Sequence, residues 1–243
     1  MNMAQKNCRY SEISEAIRKR IIDGQYKEEE RLPTESDFAK DFKVSRGTIR
    51  EALLLLEDED MIVRKRGSGS FVSKHTDKIV SGIENLESWA DSIVKAGHTV
   101  EDKVLATDFI PLVGEIAESL VIPERSPGVK IRSLRSADGH PLIYAEDFIP
   151  TSVIQNNDVW KVREESHSVL YFFEEIGYQP KKFVSTIQAV NANELSSILE
   201  VEPEVPLILL EGVIYDENNL ALAYSSYYVR SDMYRFRLVR SKR

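Results

Sequence analysis

Two stretches of this chain, SLVIPERSPGVKIRSLRSADGHPLIYAEDFIP (Ser119–Pro150) and ILEVEPEVPLILLEGVIYDENNLALAYSSYYV (Ile198–Val229), align at a constant offset of 79 residues without a gap. Leu120 falls on Leu199, Ile122 on Val201, Pro127 on Pro206, Val129 on Ile208, Leu134 on Val213, Ile143 on Leu222 and Phe148 on Tyr227. Each copy reads as a short helix, a strand, a turn (Ala137-Asp138-Gly139-His140; Glu217-Asn218-Asn219) and a second strand. Two copies of one helix-plus-hairpin unit predict a largely antiparallel sheet with a pseudo-twofold axis; the alternative is chance similarity between two hairpins. Between the copies, SHSVLYFFEEIG reads as a capped helix that packs on the sheet.

The N-terminal third has a different pattern. Ile13, Ala16, Ile17, Ile21 and Ile22 recur at helical spacing from Tyr10 to Asp23, with Ser11 as a cap and Gly24 as a stop. Thr34 is placed to cap a second helix with acidic residues in its first turn and Phe38, Ala39 and Phe42 on its apolar face. After the short turn Lys43-Val44-Ser45, Ser45 caps a third helix that turns Ile49, Ala52, Leu53, Leu55 and Leu56 inward. Two short helices joined so tightly predict a helix-turn-helix. MIVRKRGSGSFVS then reads as a β-hairpin around a Gly-rich turn, which completes the layout of a winged helix. Lys74 to Lys78 reads as a linker, and Ile79 to Ala96, apolar at Ile83, Leu86, Trp89, Ile93 and Val94, as a connecting helix ended by Gly97.

Charge separates the two regions. The chain of 243 residues has a formal net charge of −8, yet residues 1–75 carry 15 Lys and Arg against 14 Asp and Glu. The acidity lies in the remainder, so the N-terminal part can present local cationic clusters to nucleic acid. With no long apolar run, no signal-like N-terminus and a single cysteine, Cys8, the expectation is a cytoplasmic protein without a membrane partner. The four histidines are scattered without metal-ligand spacing, and no cofactor is expected.

The third helix opens Ser45-Arg46-Gly47-Thr48-Ile49-Arg50. Arg46 and Arg50 are four apart and share a face. An arginine at the N-terminal end of a helix in the major groove can bond a guanine edge through two hydrogen bonds. Gly47 leaves room for close approach, and Ser45 and Thr48 can bond phosphates. Arg64, Lys65 and Arg66 beside Gly67, Ser68 and Gly69 supply a basic wing. Each of these residues alone is an ordinary surface residue; their order and closeness carry the reading.

As a set, Leu32-Pro33-Thr34-Glu35, Val44-Ser45-Arg46, Thr48-Ile49-Arg50-Glu51-Ala52-Leu53, Leu56 and Arg66-Gly67-Ser68-Gly69-Ser70-Phe71-Val72 resemble the winged helix-turn-helix of GntR-type bacterial transcription regulators. The resemblance implies DNA contacts at Ser45, Arg46, Thr48, Arg50, Arg66 and Gly67, with Glu35 in the same motif. Ser36 stands where many members carry a basic DNA-contacting residue, a role that Arg31 can take over.

SLRSADGHPLIYAEDFIP, SVLYFFEEIG, VNANELSSILEVEPEVPLILLEGVIYDENN and SSYYVRSDMYRF resemble the UTRA effector domain of the HutC-like branch, which has a chorismate-lyase-like fold. In its sugar-phosphate-sensing members the resemblance implies a pocket to which Arg135, Glu146 and Ser168 correspond. Leu170, Ala223 and Val229 stand where those members have Tyr, Glu and Tyr, and Ser133 replaces an arginine with Arg132 adjacent. The loop Leu86-Glu87-Ser88 would donate backbone amides. Arg132 and Arg135 suggest an anionic group on the ligand; the competing reading pairs Arg135 with Glu146 or Asp147 as a structural ion pair.

The expectation is thus an α+β chain in three parts. Residues 9–73 form a winged helix-turn-helix, 74–96 a linker and connecting helix, and 97–238 a UTRA-like domain built on a mainly antiparallel sheet with flanking helices. The expected function is that of a homodimeric regulator, a repressor by the family's usual mode, bound to a palindromic double-stranded operator and modulated by a small anionic effector such as a sugar phosphate. The rival class is a lyase-like enzyme in the C-terminal domain.

Overall fold

The computed structural model describes residues 3–58, 61–65, 67–73, 78–84, 86–154 and 168–238. The chain groups into two compact units, residues 1–83 with 235–243, and residues 84–234. The division falls at Ile83/Glu84, inside the segment expected to connect the domains. Residues 235–238, expected at the end of the effector domain, group with the first unit.

In the first unit, α1 (Met3–Ile22) starts earlier than the apolar spacing indicates, so Ser11 lies inside the helix and does not cap it. Its end is as expected. Gly24 takes φ +74, its N–H bonds the Ile21 carbonyl, and the Gln25 N–H bonds the Arg20 carbonyl. These paired bonds satisfy carbonyls that the helix leaves open. Thr34 caps α2 (Glu35–Asp41) in a reciprocal box: its Oγ1 accepts from the Asp37 N–H, and Asp37 Oδ2 accepts from the Thr34 N–H. Lys43 at φ 53 turns the chain, and Ser45 Oγ accepts from the Thr48 N–H to start α3 (Arg46–Asp58).

Ile13, Ile17 and Ile21 of α1, Phe38 of α2 and Ile49, Ala52, Leu53 and Leu56 of α3 close over Ile62 and Val72 in one core. Those two residues face each other at the open end of the wing, β1 (Ile62–Lys65) with β2 (Gly69–Val72). The segment before α2 adds to the wing: Arg31 bridges Phe71, and the Leu32 N–H bonds the Ser70 carbonyl.

The helix expected over Ile79–Ala96 is not continuous. Ile79–Gly82 is a strand, β3, paired with β10 (Tyr234–Arg237), and among the described residues of this stretch only Trp89–Lys95 is helical, α4. Ile79 and Val80 are β-branched and suit a pleated surface. The partner that decides the matter lies about 150 residues away, beyond the reach of local periodicity. Ser88 Oγ accepts from the Ala90 N–H and sets the start of α4.

The second unit is built on a six-stranded antiparallel sheet in the order β4-β5-β6-β9-β8-β7. Its strands are β4 (Val100–Leu112), β5 (Ser126–Ala137), β6 (His140–Pro150), β7 (Pro180–Asn191), β8 (Pro206–Asp216) and β9 (Ala221–Arg230). The order is symmetric about β6/β9, as the repeat predicts. The outer strands β4 and β7 extend it at nearly the same offset.

The gapless alignment needs one correction. It holds through β5 and β8 but slips by one residue in β9. The first turn uses two residues, Asp138 and Gly139, between the paired Ala137 and His140, whereas Asp216 bonds across three to Leu220. Register then equates Phe148, opposite Lys130, with Tyr228, opposite Leu209, and not with Tyr227. A β-bulge recurs in both copies, at Arg135/Ser136 and at Ile214/Tyr215. The centre of symmetry is the pair Glu146↔Ser226.

Helices cover both faces. α6 (Thr151–Ile154) and α7 (Val169–Glu175) seal one over Val129, Ile131, Ile149 and Ile214. Trp89 of α4 meets Tyr227 on that face at 5.3 Å between ring centroids. On the other, α5 (Gly114–Ser119) and α8 (Ser196–Leu199), the latter preceded by a 3₁₀ turn at Asn193–Leu195, pack on Phe148, Tyr224, Tyr144 and Leu207. α7 is capped by Ser168, whose Oγ accepts from the Leu170 N–H.

The Asp138 turn carries a pH prediction. A bond from the His98 ring, then the Thr99 N–H and hydroxyl, all within 2.8 Å, hold its carboxyl down at about 2. A carboxyl lowered in the folded state adds stability above the ordinary carboxylate range, and that stability is lost as pH falls toward about 2. Asp138→Asn is expected to melt below wild type at neutral pH, with the gap narrowing on acidification from about pH 4 to about pH 2. A gap that stays constant in Tm against pH would show that the carboxylate charge is not what matters.

Candidate nucleic-acid interface and effector site

In the first unit the exposed start of α3 presents Ser45, Arg46, Gly47 and Arg50, with Thr48 half-buried. The Ser45 and Thr48 hydroxyls are 2.9 Å apart, so one serves the cap while the pair still offers acceptors outward. Arg50 is held as a fork: its Nε and Nη2 lie 3.2 and 2.9 Å from the two oxygens of Glu35. This bond, ahead of the burial that opposes it, lowers the Glu35 carboxyl below its usual range and raises Arg50. Glu35 therefore fixes the direction of the Arg50 guanidinium.

A cleft of about 310 Å³ brings Arg31, Glu35, Arg64, Lys65, Gly67 and Gly69 together between α2 and the wing. Arg31 lies against Gly69, where a Cβ would meet its Nε at 3.2 Å, and Gly69 has φ +107. Glycine there lets the arginine lie along the wing. Ser68 is exposed at the tip, where its N–H bonds the Lys65 carbonyl. Arg64 is turned back onto α3: Nη2 bonds the Arg50 carbonyl at 3.1 Å and Nε is 3.2 Å from Glu57. It braces the helix against the wing rather than projecting from it. Arg66 lies outside the described residues.

The effector residues divide between the two faces of the second unit's sheet. Side chains alternate along a strand, so Ser133 and Arg135 face the α7 side while Lys130 and Arg132 face the other. Arg132 and Arg135 cannot clamp one anion together, contrary to the reading that joined them. Arg132 pairs with Asp108 at 3.0 Å. The Arg135 side chain is 4% exposed and forms an ion pair with Asp102, whose side chain is 3% exposed. Asp102 is a partner that the sequence reading did not consider, and Glu146, one of the two it did, lies on the other face.

Glu146 also lies on the far face. It accepts from the Tyr144 hydroxyl at 2.9 Å, pairs with Lys130 at 2.7 Å and lines a hollow of about 280 Å³ with Glu211, Tyr224 and Tyr228. The bulge is the cause. Ser136 opposes Pro141 but Arg135 opposes Ile143, so the extra Leu142 flips every later side chain of β6. Asp147 thereby takes the place on the α7 face. It is 1% exposed and accepts from Ser225 Oγ at 2.6 Å and the Tyr227 hydroxyl at 3.3 Å. Burial first, then the Asp147 charge, pushes the Tyr227 hydroxyl well above its ordinary range, so it stays a donor.

On that face Val229, Ala223 and Ser168 are buried and Leu170 is half-buried. At the α4 loop, Leu86 is exposed, Glu87 pairs with Lys95 and Ser88 is buried as the cap. The Glu87 charge is thus answered by Lys95 at the end of α4.

The model of the bacterial regulatory proteins of the gntR family matches residues 9–72, and that of the UTRA domain matches residues 95–235, more than half of the chain. The chain belongs to the GntR family, in its UTRA-bearing branch. This GntR protein is accordingly a DNA-binding transcription regulator with an effector domain. It is 25% identical over 227 residues to the HTH-type transcriptional repressor NagR of Bacillus subtilis (strain 168), covering 93% of this chain and 92% of that one. It is also 25% identical over 240 residues, 96% of each chain, to the mannosyl-D-glycerate transport/metabolism system repressor MngR of Escherichia coli (strain K12). The crystal structure of PhnF from Mycobacterium smegmatis shares the fold at a TM-score of 0.64 and 21% identity, covering 95% of this chain and all of that one.

Sequence reasoning missed Asp102, Ser225 and Tyr227 in this GntR effector unit, and named Asp147 only as a candidate partner of Arg135. Asp147 was one residue from the residue chosen, and only the bulge separates them. Asp102 carried no signal, because its partner lies 33 residues on, across a strand pair. Among the described residues no helix is long and apolar enough to cross a membrane.

Proposed function

We propose that this chain is a cytoplasmic repressor that binds a twofold-symmetric operator as a homodimer and releases it when a small sugar-derived metabolite occupies the α7 face of the effector unit. The observation that carries the DNA part is the forked Glu35–Arg50 pair beside exposed Arg46 at the start of α3, next to the wing cleft. A fixed guanidinium fork suits two acceptors on one base edge. Ser45, Gly47, Thr48, Arg31, Gly67, Ser68 and Gly69 would follow the backbone around it. The named relatives are repressors, which favours binding over catalysis, and MngR's name ties one of them to a sugar derivative. The expected phosphate on the ligand rested on Arg132 and Arg135 acting together, so the reading extends only to a sugar-derived metabolite.

The test is selection of a binding site from random duplexes, followed by fluorescence anisotropy on the site recovered. The expected site has two related half-sites and binds at least about a thousandfold tighter than unrelated duplex at the same salt. Equal affinity for both would make the chain a non-specific DNA binder. A metabolite that releases the operator should also raise the melting temperature, since about a hundredfold excess over Kd adds about 2.7 kcal/mol.

A further inference from the structure

The carbonyl end of a helix carries negative partial charge and ends best with a cation. α1 and α2 follow this, with Lys19 and Arg20 in the last turn of one and Lys40 in that of the other. α3 does the opposite. It runs out into Glu57-Asp58-Glu59-Asp60, four acids in succession, and its last turn holds no base. The helix that offers Arg46 and Arg50 at its start therefore depends on cations from elsewhere at its end.

Two arginines supply them. Arg64 of the wing pairs with the Glu57 carboxylate. Arg237 of β10, 180 residues further on, donates from Nη1 to the Glu57 carbonyl at 2.6 Å. The neighbouring Leu56 carbonyl takes the Met61 N–H. A guanidinium on a terminal carbonyl gains from the charge-assisted bond and from the helix dipole together.

β10 lies outside the stretch that forms the winged helix. It pairs with β3, and the Arg237 carbonyl accepts from the Ile83 N–H. Arg237 thus holds α3 by its side chain and the end of β3 by its backbone. The chain leaves the first unit at Ile83/Glu84 and returns at Tyr234/Arg235, so both crossings adjoin this two-stranded ribbon. α3 itself is fixed in its own core by Ile49, Ala52, Leu53 and Leu56. What Arg237 adds is a hold between that core and the ribbon. Two linked reading heads gain affinity from being presented together, and a head left loose on its mount loses that gain without losing any contact to DNA.

We propose that Arg237 is a positioning residue for operator binding: it fixes the winged helix on the β3–β10 ribbon through the Glu57 end of α3, so that the two half-sites are read together. The inference rests on the twofold operator reading above.

The test measures anisotropy of the full chain on the selected operator and on the same duplex with one half-site scrambled, for wild type, Arg237→Met and Arg237→Lys. Wild type is expected to bind the intact operator far more tightly than the single half-site. Arg237→Met is expected to lose at least about tenfold on the intact operator and less than about twofold on the single half-site. Arg237→Lys keeps the charge and a donor and should fall between. The slope of affinity against salt should stay that of wild type, because Arg237 is assigned to a carbonyl of the protein and not to phosphate. An equal loss on both duplexes would overturn the proposal, since Arg237 would then support α3 itself. So would a slope reduced by about one, the mark of a direct phosphate contact, or an unchanged intact operator affinity in folded Arg237→Met. If Arg237→Met does not fold, Arg237→Lys decides by the same comparison: a loss confined to the intact operator supports the proposal, and an equal loss or none overturns it. Equal affinity of wild type for the two duplexes would remove the twofold operator and the inference with it, a result visible before any variant is made.

Discussion

Replacing Arg50 by alanine is expected to lower affinity for the selected operator by about tenfold to a hundredfold, the range for losing one bidentate base contact. Arg46→Ala should act in the same range. Binding to unrelated duplex should fall much less, because loss of one cation weakens the phosphate term alone. Folding should be nearly unchanged, since Arg50 is exposed and its pair with Glu35 is screened by water. Arg50→Lys separates the two roles: it restores the charge without the fork, so it should recover non-specific binding and not specificity. Anisotropy on operator and scrambled duplex at two salt concentrations measures all of this. Wild-type operator affinity in both alanine variants would mean that α3 does not enter the groove by this end.

Phe172→Ala is expected to destabilise the effector unit by about 3–5 kcal/mol, the cost of emptying a large buried site. Phe172 has no exposed surface, meets the tilted ring of Phe173 at 5.4 Å between centroids, and stands in the cluster that joins α7 to β5, β6, β8 and β9. Few neighbours can move in to fill the space, because most of them come from four strands fixed by their own ladders. In a unit of this size the loss lowers Tm by roughly 6–20 °C. A calorimetric scan of both proteins checks it, and a shift of only a degree or two would mean that α7 is not packed as described.

The winged helix was legible because its signals are local. Thr34 and Ser45 cap helices within three residues, Gly24 ends one by its own backbone freedom, and the apolar spacing of Ile49 to Leu56 needs no knowledge of the partner. The symmetric sheet was legible for another reason: a duplicated segment must bury the same face twice, so the repeat declares the symmetry before any strand is paired. What the local signals mistook they mistook for want of a partner. Ile79 and Val80 fit a helix as well as a strand until β10 arrives beside them.

The effector site depended on a finer detail. Arg132 and Arg135 look adjacent in sequence, but an odd separation along a strand sends them to opposite faces. Glu146 looks like Arg135's neighbour until one bulged residue, Leu142, rotates the rest of β6 and puts Asp147 in its place. The sequence by itself determined two units, the caps at Thr34 and Ser45, the arginines at the start of α3 and the paired hairpins, because each follows from residues a few positions apart or from the repeat itself. Only the tertiary structure decided which charges meet, Arg135 with Asp102 and Arg50 with Glu35, because side-chain partners across strands and helices are set by register and packing, and a slip of one residue exchanges them.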